Sequence, residues 1–489
     1  MSLGQLLIDR ELVTEEQVEK ATRRVRLAGG SLAESLLALE FLTRERLEDV
    51  LEEPPLAPER LEDTGLGEQF LLNYCLRLLY VTGVETVPEA AEYAKLPARL
   101  LSELFEQLQK RRMVEVLGPS RLHASVLRYA LSDLGRERAM ESMSQCQYTG
   151  PVPVRLAEYR VQVAKQALAH ERSTPADLRR SFQDLVLPQA LLDNLGPAIN
   201  SGKAVLLYGG AGNGKTSVAE GIGRSFRQAV YLPYAIEVDG QIIRLFDPAV
   251  HEPVKQEGQG ELGLLRDAVE VDPRWVKCRR PIVMTGGELT IEMLDLSYDE
   301  ISKFYEAPAH IKATGGVFII DDFGRQRCGT MELLNRWILP LERRVDYMTL
   351  HTGMKLELPF DQMVVFSTNF PPEELMDEAA LRRINYKVHV APPTAEDFAE
   401  IYRRVIQAHG LTPFPDVLAY LMDEFYPQSG LTPAGFHPKF IVEHVIARCH
   451  FESVRPRLTS DRVKEAVQNL VVGRGTTFTP MVKGISSGG

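Results

Sequence analysis

Eight residues constrain this chain more than any others. Gly209-Gly210-Ala211-Gly212-Asn213-Gly214-Lys215-Thr216 fit the pattern G-x-x-x-x-G-K-[ST], with an apolar run, AVLLYG, leading in and a helical run, TSVAEGIGRSF, leading out. Strand, glycine loop and helix in that order let backbone N–H groups curl around a phosphate, while the helix N-terminus adds positive potential. Lys215 then reaches the β- and γ-phosphates of a nucleotide, and the Thr216 hydroxyl coordinates Mg²⁺. ATP and Mg²⁺ are the expected ligands, with Gly209 through Thr216 and Ser217 binding the nucleotide.

A second run supplies the acid such a site needs. Val317-Phe318-Ile319-Ile320-Asp321-Asp322 reads as a core strand that delivers two carboxylates to the phosphate edge of a sheet. Asp321 is expected in the Mg²⁺ shell beside Thr216, and Asp322 is expected to polarise the attacking water. The runs AVLLYG, GVFIIDD and MVVFSTN alternate with helical patterns up to about Pro393, which predicts a buried parallel sheet.

The remaining length needs other domains, since 489 residues at ~150 per domain make about three. With 56 Lys+Arg against 67 Asp+Glu the net charge is −11, which argues against non-specific wrapping of nucleic acid or anionic membrane. Cys75, Cys146, Cys278, Cys328 and Cys449 contain no C-x-x-C pair, so reduced thiols are expected rather than a disulfide framework or zinc knuckle. No leader pattern follows Met1, and no apolar run nears the ~20 residues that span a bilayer. A cytoplasmic chain without membrane insertion is expected.

The first ~52 residues are a tandem duplication. Ser2 to Thr22 aligns without gaps on Ser31 to Leu51 at an offset of 29 residues, pairing Leu3 with Leu32, Leu7 with Leu36, Leu12 with Phe41 and Val18 with Leu47. Thr14 and Thr43 repeat a helix N-cap, and Thr14 with Gln17 makes a capping-box pattern. Each unit is two small helices around a tight turn. EEPPLAPER (Glu52 to Arg60) reads as a linker, as does TGPVPVRLAEY (Thr149 to Tyr159). Between them, three helical stretches, two strand-like pieces and a closing helix follow the order of a winged helix-turn-helix. Its ten Lys+Arg and ten Asp+Glu between Gly65 and Gln147 cancel, and its third helix opens LPARLLSEL, so protein docking is favoured over DNA reading. From Thr394 to Gly473 four helical segments follow, and the tail from about residue 477 is expected to fray.

With the glycine loop and the Asp321-Asp322 strand in place, the chain resembles the AAA+ ATPases. The expected architecture is an α/β P-loop AAA+ core (160–393, with an inserted β-meander at about 235–300) and an α-helical lid (394–475). A winged helix (62–148) and a small α-helical tandem-repeat domain (1–52) precede it. The resemblance implies that Asn369, ending MVVFSTN, positions the hydrolytic water. It implies that Arg383, preferred over Arg382 in LRRINYKV, is an arginine finger offered to a neighbouring subunit. Lys439 falls at the family's sensor 2, where Arg is usual; a solvated lysine at a helix start is the alternative. The family also usually carries Glu where Asp322 stands. Phrases such as IDDFGRQ, LVLPQALLDNLG and QYTGPVPVRLAEY are similar to bacterial chaperone-like ATPases associated with Flp pilus assembly. The N-terminal repeat is similar to the cyclic-di-GMP-binding domain of type II secretion and type IV pilus ATPases. It has Ser2 and Ser31 where that family carries basic residues, and Ala33 for one glycine, so cyclic di-GMP is not an expected ligand.

These readings together imply a homo-oligomeric ring, a hexamer by the family's pattern, that couples ATP hydrolysis to remodelling or assembly of a protein client. The alternatives are a nucleotide-switched DNA-binding regulator or initiator using the winged helix, and a cyclic-di-GMP-responsive ATPase.

Overall fold

The structure, a computed structural model, describes residues 3–28, 32–120, 125–254, 271–412 and 415–471. It divides into two compact units. The first takes Met1–Ser181, Ala190–Tyr208 and Thr216–His389; the second takes Phe182–Gln189, Gly209–Lys215 and the chain from Val390 onward. The first unit thus takes in the segments expected as the repeat, the winged helix and most of the α/β core.

Five parallel strands form its central sheet: β1 (Val205–Tyr208), β2 (Ile282–Thr285), β3 (Val317–Ile320), β4 (Met363–Thr368) and β5 (Tyr386–His389). Their order is β5-β1-β4-β3-β2. β3 and β4 are buried at every position, as apolar runs without alternation require in a sheet covered on both faces. Phe318, Phe323, Trp337, Phe360 and Phe366 pack into one core cluster with them. Ile320 pairs with Phe366 of β4 and with Thr285 of β2, so the chain leaving β3 emerges between the ends of two neighbours.

The segment 235–300, expected as one inserted meander, is divided among three sheets. Ile282–Thr285 is the edge strand β2, and Trp275–Cys278 pairs antiparallel with Val230–Pro233. Ala235–Val238 and Gln241–Arg244 form a hairpin turned at Asp239 and Gly240, both at positive φ, the geometry that Asp-Gly turns favour. That hairpin is part of a second five-stranded sheet that runs Ser297–Tyr298, Tyr305–Glu306, Gln241–Arg244, Ala235–Val238, Val154–Arg155. Two of its pairings are parallel, and parallel neighbours need crossovers that a meander lacks. Residues 255–270 of the segment lie outside the described residues.

Both expected linkers are built into the first unit. Val154–Arg155 is a strand of the second sheet, and Val152, Val154 and Tyr159 are fully buried. In the earlier link, Asp272 N donates to Pro55 O at 2.9 Å and Lys165 Nζ donates to Glu53 O at 2.8 Å. In the second stretch the alternate residues Val152 and Val154 are apolar and buried, which composition alone does not register; the first is held by the two backbone contacts just given.

The duplication extends to the backbone. Helices Leu3–Asp9 and Glu15–Ala28 are matched by Leu32–Ala38 and Arg44–Glu52. Each turn passes through a left-handed glutamate, Glu11 and Glu40, both at φ 55°. Leu7 and Leu36 are buried equivalents, as are Val13 with Leu42 and Ala21 with Val50, two pairs beyond those aligned above. Thr14 and Gln17 exchange both capping-box hydrogen bonds, at 2.8 and 3.3 Å. Ser2 and Ser31 lie outside the described residues. Next come helices Glu68–Thr82, Val87–Ala94 and Ala98–Lys110, an antiparallel pair, Val114–Pro119 with Leu127–Leu131, and helix Asp133–Gln145.

The second unit is helical. Ala395–Ala408 starts at a capping box between Thr394 and Asp397, and His437–Phe451 and Ser460–Gln468 close the bundle around Phe398, Tyr402, Leu421, Ile441 and Val463. The segment PDVLAYLMDEFY, one of the four expected helical segments, is helical without a break, as Pro415–Ala419, a π-helical turn (Tyr420–Phe425) and Tyr426–Ser429. Residues 472–489, with the expected frayed tail, lie outside the described residues.

Candidate functional site

In the first unit the site is built where β3 ends and where helix Lys215–Ser225 begins. Thr216 Oγ1 donates to Asp321 Oδ2 at 2.9 Å. A hydroxyl and a carboxylate converging from different elements form a hard-oxygen pair of the kind Mg²⁺ takes while keeping its waters. The donor set fits that ion.

One residue on, Asp322 has φ 48°, the left-handed region. For a residue with a Cβ this costs about 1–2 kcal/mol, so the surroundings must impose it. Asn369 Nδ2 donates to Asp322 Oδ1 at 2.9 Å. Phe323 N donates to Ser367 O at 2.7 Å, and Thr368 Oγ1 donates to Phe323 O at 2.7 Å. The end of β4 therefore grips the turn that follows β3. Sequence reasoning assigned no role to Gln326, whose amide sits inside this turn: Nε2 donates to Asp321 O at 2.9 Å and Oε1 accepts from Gly324 N at 2.8 Å. No spacing rule marks such a residue.

In the second unit the glycine loop is held by the helical chain. Phe436 N donates to Gly212 O at 3.1 Å, and Asn213 Nδ2 donates to Val390 O at 3.1 Å. Gly212 has φ 76°, and a Cβ there would run into the Phe436 ring, so glycine is required twice over. Phe436, just before helix His437–Phe451, is a second residue that sequence reasoning missed. Lys215 is 6% exposed, and its Nζ donates to Gly209 O at 3.0 Å and Gly210 O at 2.8 Å. An ammonium held on two loop carbonyls is placed to move onto phosphate oxygens that enter the same loop. Ala211 is exposed at the loop, and Ser217, in the first turn of the helix, is half-buried. Lys439 pairs with Glu443 at 3.8 Å on an exposed helix face.

The two arginines expected as finger candidates differ in setting. Arg382 is 75% exposed and pairs with Glu378 at 2.7 Å, one helical turn away. Arg383 is 31% exposed, with its Nε 3.4 Å from Glu342. None of the described helices is long and apolar enough to cross a membrane.

Residues 394–469 match a family described as a Domain of unknown function (DUF8689). No curated protein matches the chain. Among solved structures, the RuvB Holliday junction branch migration motor of Thermotoga maritima is 14% identical, with 58% of this chain and 67% of that one covered and a TM-score of 0.32. NtrX from Brucella abortus is 16% identical, with 66% and 62% covered and a TM-score of 0.38. In complex with ADP it is again 16% identical, with 70% and 68% covered and a TM-score of 0.37.

Proposed function

We propose that this chain is an AAA+-type ATP hydrolase that works as a homo-oligomeric ring and couples turnover to remodelling or assembly of a protein partner. The observation that carries the reading is the pairing of Thr216 with Asp321 and of Asn369 with Asp322, in the residues that follow the glycine loop and the β3 strand. Bound Mg²⁺ would neutralise phosphate charge as the γ-phosphoryl is transferred to water. The loop amides and Lys215 bind the phosphates, and Thr216 and Asp321 hold the ion. Asn369 occupies Asp322 Oδ1, which leaves Oδ2 to orient the attacking water and take its proton.

Exposure supports Arg382 rather than Arg383, the residue preferred from sequence, as the finger. Arg382 stands out into solvent and is the better placed to reach a neighbouring copy, whereas Arg383 is drawn toward Glu342. The exposed ion pair of Lys439 supports the plain solvated reading for that residue.

A DNA-reading role is disfavoured by the third helix of the 62–148 segment. Its exposed side carries Glu103 and Glu106, which phosphates avoid, and Arg99 at its N-terminal end donates to Pro58 O at 3.0 Å. Within the ATPase reading, the resemblance to Flp-associated ATPases supports a client in pilus or secretion machinery.

The test is phosphate release by the full chain with ATP and Mg²⁺. Turnover is expected in the wild type and its loss in Lys215→Ala, with circular dichroism unchanged. Equal turnover in the folded variant would remove the glycine loop from the reaction. Affinity capture with Asp322→Asn, which blocks turnover with partners engaged, identifies the client.

A further inference from the structure

The left-handed backbone of Asp322 has to be imposed, and one side chain is placed to impose it. Gln326 Nε2 donates to Asp321 O at 2.9 Å and lies 3.3 Å from Asp322 O, while its Oε1 accepts from Gly324 N at 2.8 Å. Asp321 O belongs to the peptide before Asp322, and Asp322 O to the peptide after it. The angle between those two peptide planes is what φ and ψ of Asp322 describe. A single amide that bonds both planes therefore fixes the conformation of the residue between them. Gln326 Nε2 also lies 3.4 Å from Gly286 O, just past β2, which ties the turn to the neighbouring strand end.

An aspartate carboxylate stands only two bonds from its Cα, so its direction follows the backbone closely. Turning Asp322 out of the left-handed region would swing its carboxylate away from Asn369 Nδ2, 2.9 Å distant. Asn369 holds the side chain, while Gln326 shares the hold on the main chain with Ser367 O, which accepts from Phe323 N at 2.7 Å, and is the one that also bonds the peptide before Asp322.

We infer that Gln326 is a positioning residue for hydrolysis: it holds the Asp322 backbone in the left-handed conformation that aims the carboxylate at the attacking water. The inference rests on the ATPase reading given above. It assigns Gln326 no contact with nucleotide, so the effect belongs to kcat and not to binding.

The test is steady-state ATP hydrolysis by the full chain, with ATP affinity measured separately by equilibrium binding. Gln326→Ala is expected to lower kcat by about 10–100-fold, the penalty typical of a misplaced catalytic group, with ATP affinity changed less than twofold. Gln326→Glu keeps the shape and the Oε1 acceptor but removes the donor; the same loss of kcat is expected, and it serves if the alanine variant fails to fold. Gln326→Lys restores a donor of similar reach and is expected to recover part of the rate. Unchanged kcat in Gln326→Glu, or a loss of ATP affinity that matches the loss of rate, overturns the proposal. Absence of turnover in the wild type sinks the ATPase reading itself, and this proposal with it.

Discussion

The Thr216 hydroxyl donates to Asp321 Oδ2 at 2.9 Å across 105 positions of chain. A side chain at a helix start and one at a strand end thus meet at a point that neither segment defines alone. Thr216→Val keeps the volume and removes the oxygen. It is expected to raise the Mg²⁺ concentration needed for half-maximal turnover by about 10–100-fold, the range seen when support around a metal is removed. Magnesium titration of phosphate release measures this, and an unshifted curve takes Thr216 out of the metal site.

Hydrolysis is expected to depend on contact between copies through Arg382. Specific activity should rise with protein concentration, and doping wild type with Arg382→Ala should depress it more than dilution explains. A finger supplied in trans is worth roughly 10³–10⁵ in kcat. Arg383→Ala is expected to have the smaller effect on rate and little effect on stability, because its 3.4 Å pair with the half-exposed Glu342 is a surface contact. Full activity in a dilute monomer contradicts the ring.

A pH dependence is expected from Glu158. Burial is the first cause that pushes its carboxyl up to about 7; Arg274 pulls the other way, and Asp272 adds to the rise. An acid whose folded pKa lies above its unfolded value holds its proton more tightly when folded, so stability falls as pH rises from about 4.5 toward 7. Glu158→Gln removes this titration. Thermal melts of both proteins from pH 5 to 8 should show the variant gaining on the wild type as pH rises. Parallel curves would mean that Glu158 titrates normally. The carboxylate is about one-third exposed, so solvent screening keeps the effect small.

The N-terminal repeat is expected not to bind cyclic di-GMP. Gly4 and Ala33 are both buried in the helices of the repeat, where Ala33 adds a Cβ at the position of the resembled glycine. Two missing charge-assisted contacts at ~1.5–3 kcal/mol each weaken binding by about 10²–10⁴. Calorimetric titration of the full chain decides the matter: a micromolar or tighter dissociation constant would make this a second-messenger-responsive ATPase.

Much of this was legible from local order. The glycine loop announces itself because strand, turn and helix adjoin covalently, and the duplicated N-terminus because each copy repeats its apolar spacing. VFII and MVVF read as core strands because no polar residue interrupts them. Other features depend on partners distant in the chain. Ile282–Thr285 joins the central sheet beside β3 rather than a local meander. Val154–Arg155 leaves a Pro-rich stretch to pair with Ala235–Val238. The packing of Phe436 against Gly212, the grip of Gln326 on Asp322 and the different settings of Arg382 and Arg383 carry no mark in spacing or composition. The amino-acid sequence by itself determined which segments can be buried and which loop can embrace a phosphate, since both follow from neighbours a few residues apart. The tertiary structure alone decided which strands pair and which side chains meet around Asp322, because those choices turn on burial and hydrogen bonds between segments that the chain brings together only when folded.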